Sequence, residues 1–356
     1  MIGFRSQNTI RSSSLWTTLA GAFPDTMAQN TQTFSTTLNS WFGRVQTGGV
    51  PEPLTVITAL AVWTPDPVSL VLIALLGGWY ATAVRRVRCG GGHWPRARSV
   101  TWFGGGLGAY ALATLSSIGA YSDVLFSMRA AQVILLLMVA PLGLALGAPL
   151  TLLRETAPPG LVARLRSALH SRFCRVLAFP ATASALLIAT PWALYFTDWY
   201  PAVLRSPVLD ELTRLALLLI GFAYFWSRLQ LDPVPRGYPH LVSVWITFAE
   251  VVFDAALGLT LWFSGHIVAA DYYQSLGRAW GPDLRLDQTI GAGVLWIVGD
   301  LAGLPFLGAL LNRMSRQDAE QAVRIDRELD EREAEQSSDR PWWEDDPVLS
   351  ERFRRR

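Results

Sequence analysis

Residues 124–146 read VLFSMRAAQVILLLMVAPLGLAL, twenty-three residues with one charge, Arg129. At 1.5 Å per residue a helix of this length reaches roughly 35 Å, enough to cross about 30 Å of bilayer hydrocarbon. A charge at the centre of such a span costs about 2.5–3.5 kcal/mol on insertion scales, so Arg129 has to face other helices and find a partner there. This stretch predicts an all-α membrane fold with a polar interior.

Working outward, six further apolar runs of similar length flank it, for seven expected spans: Pro67–Val84, Thr101–Gly119, Val124–Leu146, Val176–Phe196, Val208–Ser227, Leu241–Phe263 and Gln288–Leu311. Pro141, Pro180, Pro191 and Pro305 fall inside them, which membrane helices tolerate where neighbours take up the freed carbonyls. Composition agrees, with 51% hydrophobic and 16% charged residues among 356, where soluble domains carry about 25% charged. The mean hydropathy is +0.28.

All thirty basic side chains are arginine, and their placement predicts the orientation. The loops after the first, third and fifth spans hold twelve: Arg85, Arg86, Arg88, Arg96, Arg98, Arg154, Arg164, Arg166, Arg172, Arg175, Arg228 and Arg236. The opposite loops hold three, Arg205, Arg278 and Arg285. Short basic loops stay in the cytoplasm, so the N-terminus is expected outside and the C-terminus inside.

The chain divides into three segments. Residues 1–62 are Ser/Thr/Asn/Gln-rich and read as a flexible external arm, 63–311 as the seven-helix membrane domain, and 312–356 as a charged cytoplasmic tail. In the tail, Arg324-Ile-Asp-Arg-Glu-Leu-Asp-Glu-Arg suits a solvated helix with i,i+4 ion pairs. Beyond it, Pro341-Trp-Trp-Glu-Asp-Asp-Pro347 suits either a partner or solvent.

A net charge of +2 excludes an obvious nucleic-acid binder, and two cysteines, Cys89 and Cys174, exclude a disulfide framework. Gly104-Gly-Gly-Leu-Gly108 and Gly291-Ala-Gly293 look like phosphate loops, but no strand precedes them and no Lys follows, so they read as helix-packing glycines. Trp63, Tyr272, Tyr273 and Trp280 are expected in an interfacial aromatic belt.

Several stretches together resemble the CtaG-type cytochrome c oxidase assembly factors of bacteria, from about Trp63 to Asp330. They are Trp63-Thr-Pro-Asp-Pro67, Trp94-Pro-Arg-Ala-Arg98, Phe126-Ser-Met128, Ala140-Pro-Leu-Gly-Leu-Ala-Leu-Gly-Ala-Pro149, Gly221-Phe-Ala-Tyr-Phe-Trp226, Asp232-Pro-Val-Pro-Arg236 and Trp280-Gly-Pro-Asp-Leu-Arg-Leu-Asp-Gln288, with Gly291-Ala-Gly293 and Trp296. The resemblance implies a seven-span protein of the bacterial plasma membrane that helps copper reach the oxidase catalytic subunit. Oxidase subunits or a copper carrier would then be its partners, besides membrane lipid.

The departure from the family pattern matters as much. Where the resemblance calls for histidines in the third span, this chain has Arg129 and Val133; in the sixth it has Asp254, and in the fifth Asp210, Arg214 and Ala216. Its four histidines, His93, His170, His240 and His266, fall in or next to loops. Copper stays the one cofactor the resemblance implies, with Met128 and His266 as weak candidate ligands.

Depth along the spans puts Arg129 and Arg214 each ~9 Å and Asp254 ~14 Å below the outer edge. An intramembrane charge network is therefore expected, with Arg129 paired to Asp254 and Arg214, Asp210 and Glu211 beside them; Glu250 and Asp300 extend the line of carboxylates. No nucleophile–base set or nucleotide motif appears, so no enzyme activity is expected. The reading is an oxidase accessory or assembly factor, for copper-site maturation or as a scaffold, without the usual histidine site. The alternative is a small-solute or metal permease or sensor using these charges.

Overall fold

A computed structural model of the chain describes residues 51–177, 179–229, 240–301 and 321–332, with isolated positions 308, 315 and 319. Among the described residues all regular structure is helical. The described helices all lie in the unit Leu54–Arg356. The arm through residue 50, the Asp232–Arg236 motif and the Trp342-Trp343 segment lie outside the described residues.

A short helix α1 (Val56–Ala61) opens on a capping box between Thr55 and Thr58. Helix α2 (Pro67–Cys89) begins where Asp66 accepts from the Ser69 amide at 3.0 Å and Pro67 occupies the first turn. It ends with Arg86 and Arg88 on its negative dipole end. The third element, α3, runs Arg96–Val100, a π-wound stretch Thr101–Gly108, then Ala109–Leu115. Ser116, extended at ψ −174°, breaks it, and its hydroxyl caps α4 (Ser117–Tyr121). The second expected span, drawn to Gly119, thus turns at Ser116.

Helix α5 comprises Phe126–Ile134, a π-wound stretch Leu135–Val139 and Ala140–Leu146. Ala148, at φ 50°, ends it and restarts the chain as α6 (Pro149–Thr156). Next come α7 (Pro159–Leu169), α8 (Arg172–Leu177), α9 (Pro180–Phe196), α10 (Trp199–Arg205), α11 (Pro207–Leu229) and α12 (His240–Phe263). Residues just before a proline disfavour the helical region, so α9 starts at Pro180, later than the Val176 read from hydropathy. The described part ends in α13 (Ala270–Ser275), α14 (Leu284–Gly293, then π-wound Val294–Val298) and an exposed helical stretch over 321–332.

Helix α5 is the core of the bundle. It packs on α3, α11 and α14 and is mostly buried, whereas the peripheral α2 is mostly exposed. Glycines make the approach possible. A methyl group at Gly143 would overlap the Gly105 carbonyl carbon and the Gly106 nitrogen. Pro141 has no N–H to offer the Leu137 carbonyl, and Gly221 of α11 lays its backbone against that carbonyl.

At the opposite end from Arg129, Tyr80 ties three elements together. Fully buried, it donates to the Gly147 carbonyl at 2.9 Å, accepts from Trp94 Nε1 at 3.1 Å and stacks on Trp102 at 4.5 Å. Arg98 lies over the Trp94 ring at 4.9 Å. The tryptophan and arginine of the Trp94–Arg98 motif therefore fasten α2, α3 and the end of α5 to one another.

Two helical stretches, Pro67–Cys89 and Phe126–Thr156, are long and apolar enough to cross a membrane by length and composition, and Ala181–Phe196 is apolar but shorter. Large apolar side chains stand exposed on several helices: Leu70, Val71 and Leu75 on α2, Val208, Leu212 and Leu219 on α11, and Val251, Val252 and Phe253 on α12. Such patches need an apolar surrounding.

Candidate functional site

Arg129 leaves the first turn of α5 and is 4% exposed. Its Nη1 donates to Asp210 Oδ1 at 2.6 Å and to Gln132 Oε1 at 2.9 Å, while Nη2 reaches Asp123 Oδ1 at 2.5 Å. Gln132 passes the link on, donating to the Ala113 carbonyl of α3 at 2.8 Å. On α11, Arg214 closes on Asp210 Oδ2 at 2.6 Å, one helical turn away, and lies 3.6 Å from Glu211 Oε2. Asp210 thus holds a guanidinium on each oxygen. The cluster joins α3, α5 and α11 and the turn before α5.

This corrects the expected pairing. Arg129 takes Asp123 and Asp210, not Asp254. Asp254 lies on α12, where it lines a small cavity with Ile134, Met138, Leu187, Pro191 and Leu257 and makes no ion pair with a described residue. Asp210, Arg214 and Glu211 do join Arg129. Glu250 belongs to a second cluster: it accepts from Tyr224 Oη at 2.8 Å and lies 3.4 Å from Arg228 Nη1. Arg228, a loop residue by hydropathy, is 3% exposed and also donates to Ser184 at 3.3 Å. Its place at the end of an apolar run hid this, because hydropathy cannot say which way the last turn faces. Asp300 is half-buried beyond the π-wound end of α14.

The segment Asp283–Gln288 makes four caps in six residues. Asp283 caps its own helix, accepting from the Leu286 amide at 2.7 Å. Arg285 donates to the Ser264 and Trp262 carbonyls, the latter at 2.6 Å, and Gln288 Nε2 to the Leu261 carbonyl at 3.1 Å, so both satisfy the C-terminus of α12. Asp287, 1% exposed, accepts from the Phe126 amide at 2.8 Å, the Ser127 amide at 3.1 Å and the Ser127 hydroxyl at 2.6 Å. Leu125, at the N-cap of α5, has no capping side chain of its own, and α14 supplies one from 160 residues away. Replacing Asp287 with Ala should cost about 1–3 kcal/mol, seen as a lower melting midpoint of the purified protein; Asn, which keeps one acceptor, should cost less.

Beside these caps, Tyr200 of α10 and Tyr273 of α13 share a hydrogen bond of 2.6 Å. Burial pushes both phenols well above their usual range, so they stay neutral. Tyr273 is therefore core rather than part of an aromatic belt, whereas Trp63 is 56% exposed. A cleft of about 550 Å³ opens next to them, lined by Tyr195, Asp198, Pro201, Ser264, His266 and Val268 among others. His266 is exposed there and Met128 is half-buried on α5.

The two third-span positions that the resemblance reserves for metal ligands offer a metal ion no donor. Arg129 is a permanent cation with donors only, already committed to three partners, and Val133 offers no lone pair. Among the described residues no group of three or more His, Cys, Asp or Glu side chains is arranged to hold a metal.

A family model described as cytochrome c oxidase caa3 assembly factor matches residues 78–317. Uncharacterised proteins of Mycobacterium bovis and Mycobacterium tuberculosis are each 31% identical over 288 residues, covering 79% of this chain and 43% of theirs. One of Mycobacterium leprae is 30% identical, covering 79% and 44%. The chain spans less than half the length of these curated relatives. No solved structure matches it.

Proposed function

The chain belongs to the cytochrome c oxidase caa3 assembly factor family, and from that premise we propose that it is a multi-pass protein of the bacterial plasma membrane that serves oxidase maturation by binding, not by catalysis. Seven spans, with the N-terminus outside and the C-terminus in the cytoplasm, follow from the apolar runs and the distribution of arginines. The apolar side chains exposed on α2, α11 and α12 then meet lipid.

The observation that carries the reading is the closed clamp around Arg129. With both Asp210 oxygens held by guanidiniums and no imidazole among its members, the cluster satisfies buried charge and is not built as a site for a cargo metal. What it does instead is fix the outer ends of α5 and α11 against α3, at a site where an uncompensated charge would be costly. A rigid outer face of this kind is what a scaffold presents to an oxidase subunit or a copper carrier. Copper would pass by way of the partner, without a histidine site in this chain.

The test is made on a strain lacking the protein and on a tagged copy. Oxidase subunits should co-purify with the tagged protein. The deletion strain should assemble less oxidase, while the enzyme it does assemble keeps the parental copper-to-haem ratio. Undiminished oxidase with no subunit captured would end the assembly reading. Oxidase that keeps haem but lacks copper would instead restore copper handling to this chain and direct attention to Met128 and His266.

A further inference from the structure

Helix α7 (Pro159–Leu169) is unlike its neighbours: none of its residues is buried. It joins α6 to α8 and α9 on the side where the arginines concentrate, between the long apolar stretch Phe126–Thr156 and the shorter apolar helix Ala181–Phe196. At 3.6 residues per turn, Leu161, Val162, Leu165 and Leu169 fall within an arc of about 100°. Arg164 flanks that arc on one side and Arg166 on the other. Leu161 is 45% exposed, and Val162, Leu165 and Leu169 are only half-covered.

From residue 156 to 197 every charge is an arginine. Arg154, Arg164, Arg166, Arg172 and Arg175 are all exposed, and none forms an ion pair with a described residue. Between Glu155 and Asp198 the chain contains no acidic residue. Arg175 caps the end of α7 from α8, donating to the His170 carbonyl at 3.1 Å, so the two short helices hold their arginines together. Two apolar side chains near the same end, Val176 and Phe179, are 59% and 43% exposed.

We propose that α7 lies in the headgroup layer of the cytoplasmic leaflet, with its leucine face in the acyl boundary and its arginines on the phosphates of anionic phospholipid. Three features select this occupant. The apolar arc is narrow and shallow, as in helices that rest on a membrane instead of crossing it. Arginines at the two edges of the arc place their stems along the lipid and their guanidiniums at phosphate level. No acidic residue between Glu155 and Asp198 neutralises those guanidiniums locally, and an anionic surface draws such basic segments strongly. The inference rests on the multi-span reading, since a helix on the cytoplasmic leaflet needs the spans on either side of it.

The experiment uses the full chain in lipid nanodiscs of phosphatidylcholine, with or without phosphatidylglycerol. Both native cysteines, which are free, are replaced by Ser, and an environment-sensitive fluorophore is attached at Leu165→Cys, Ser167→Cys or Leu75→Cys. Brominated lipid should quench the probe at 165 strongly and the probe at 167, on the polar face, weakly. Quenching at 165 should rise by about threefold or more when phosphatidylglycerol is present, and R164Q/R166Q/R172Q/R175Q should abolish that rise. Equal access of an aqueous quencher to 165 and 167 in both discs would overturn the proposal. Shielding of 165 from lipid and water alike would also overturn it, in favour of a protein occupant. The probe at Leu75, on the exposed face of α2, separates the two readings. Lipid quenching there with none at 165 defeats the headgroup inference alone, whereas no quenching at 75 defeats the spanning reading as well.

Discussion

Asp210→Asn is expected to destabilise the protein by about 3–5 kcal/mol, the range for breaking a buried ion pair by removing one partner. The carboxylate of Asp210 receives Arg129 on one oxygen and Arg214 on the other, each at 2.6 Å. An amide at this position keeps one acceptor but aims a donor at the second guanidinium, leaving a buried cation facing an N–H. Arg129→Met should do less harm, because Asp210 keeps Arg214 and Asp123, 41% exposed, can turn to water. Asp254→Asn should cost under about 1 kcal/mol, since that carboxylate has no cation among the described residues. The measurement is the melting midpoint of each variant in one detergent. The order Asp210→Asn, then Arg129→Met, then Asp254→Asn identifies the clamp, and greater damage from Asp254→Asn than from Asp210→Asn would refute it.

Gly143→Val is expected to prevent accumulation of folded protein. Overpacking a core costs about 1–3 kcal/mol where side chains can shift. Here the obstacles are backbone atoms, the Gly105 carbonyl carbon and the Gly106 nitrogen, so α3 and α5 would have to separate along their length. Gly104 provides the control within the same glycine run. A methyl group there meets nothing within 4 Å, so Gly104→Ala should fold normally and gain up to about 1 kcal/mol in helix propensity. Membrane-fraction yield and monodispersity on size exclusion read both outcomes. If both glycine variants behave alike, the assigned contact between α3 and α5 is wrong.

The all-helical character of the chain and its long apolar runs follow from the sequence, because hydropathy is a local property. Residues 124–146 needed only their apolar length and their one arginine to announce a helix that hides a charge. The Pro67 start of α2 is equally local, since it depends on one cap and one fixed φ, whereas hydropathy alone places the start of α9 at Val176, ahead of its actual start at Pro180. Charge asymmetry between loops gave a predicted orientation for the same reason: it depends on counting, not on contacts. The sequence also showed that histidine is missing where the resemblance calls for it, and that Arg129 requires a counter-charge.

Which counter-charge it takes was a matter of tertiary structure. Depth along the helices put Asp254 within reach of Arg129, but depth fixes one coordinate, and the rotation of each helix about its axis fixes whether two side chains meet. Packing of α11 against α5, made close by Gly221 at the Leu137 carbonyl, turned Asp210 toward Arg129, while the neighbours of α12 turned Asp254 into an apolar cavity. The same rotation buried Arg228, which a linear count left in a loop, and brought Asp287 to the open end of α5 from 160 residues away. A sequence states how many buried charges must be satisfied, since desolvation penalises each one wherever it goes. Only the packed helices decide which partners satisfy them, because that choice depends on angles no local pattern encodes.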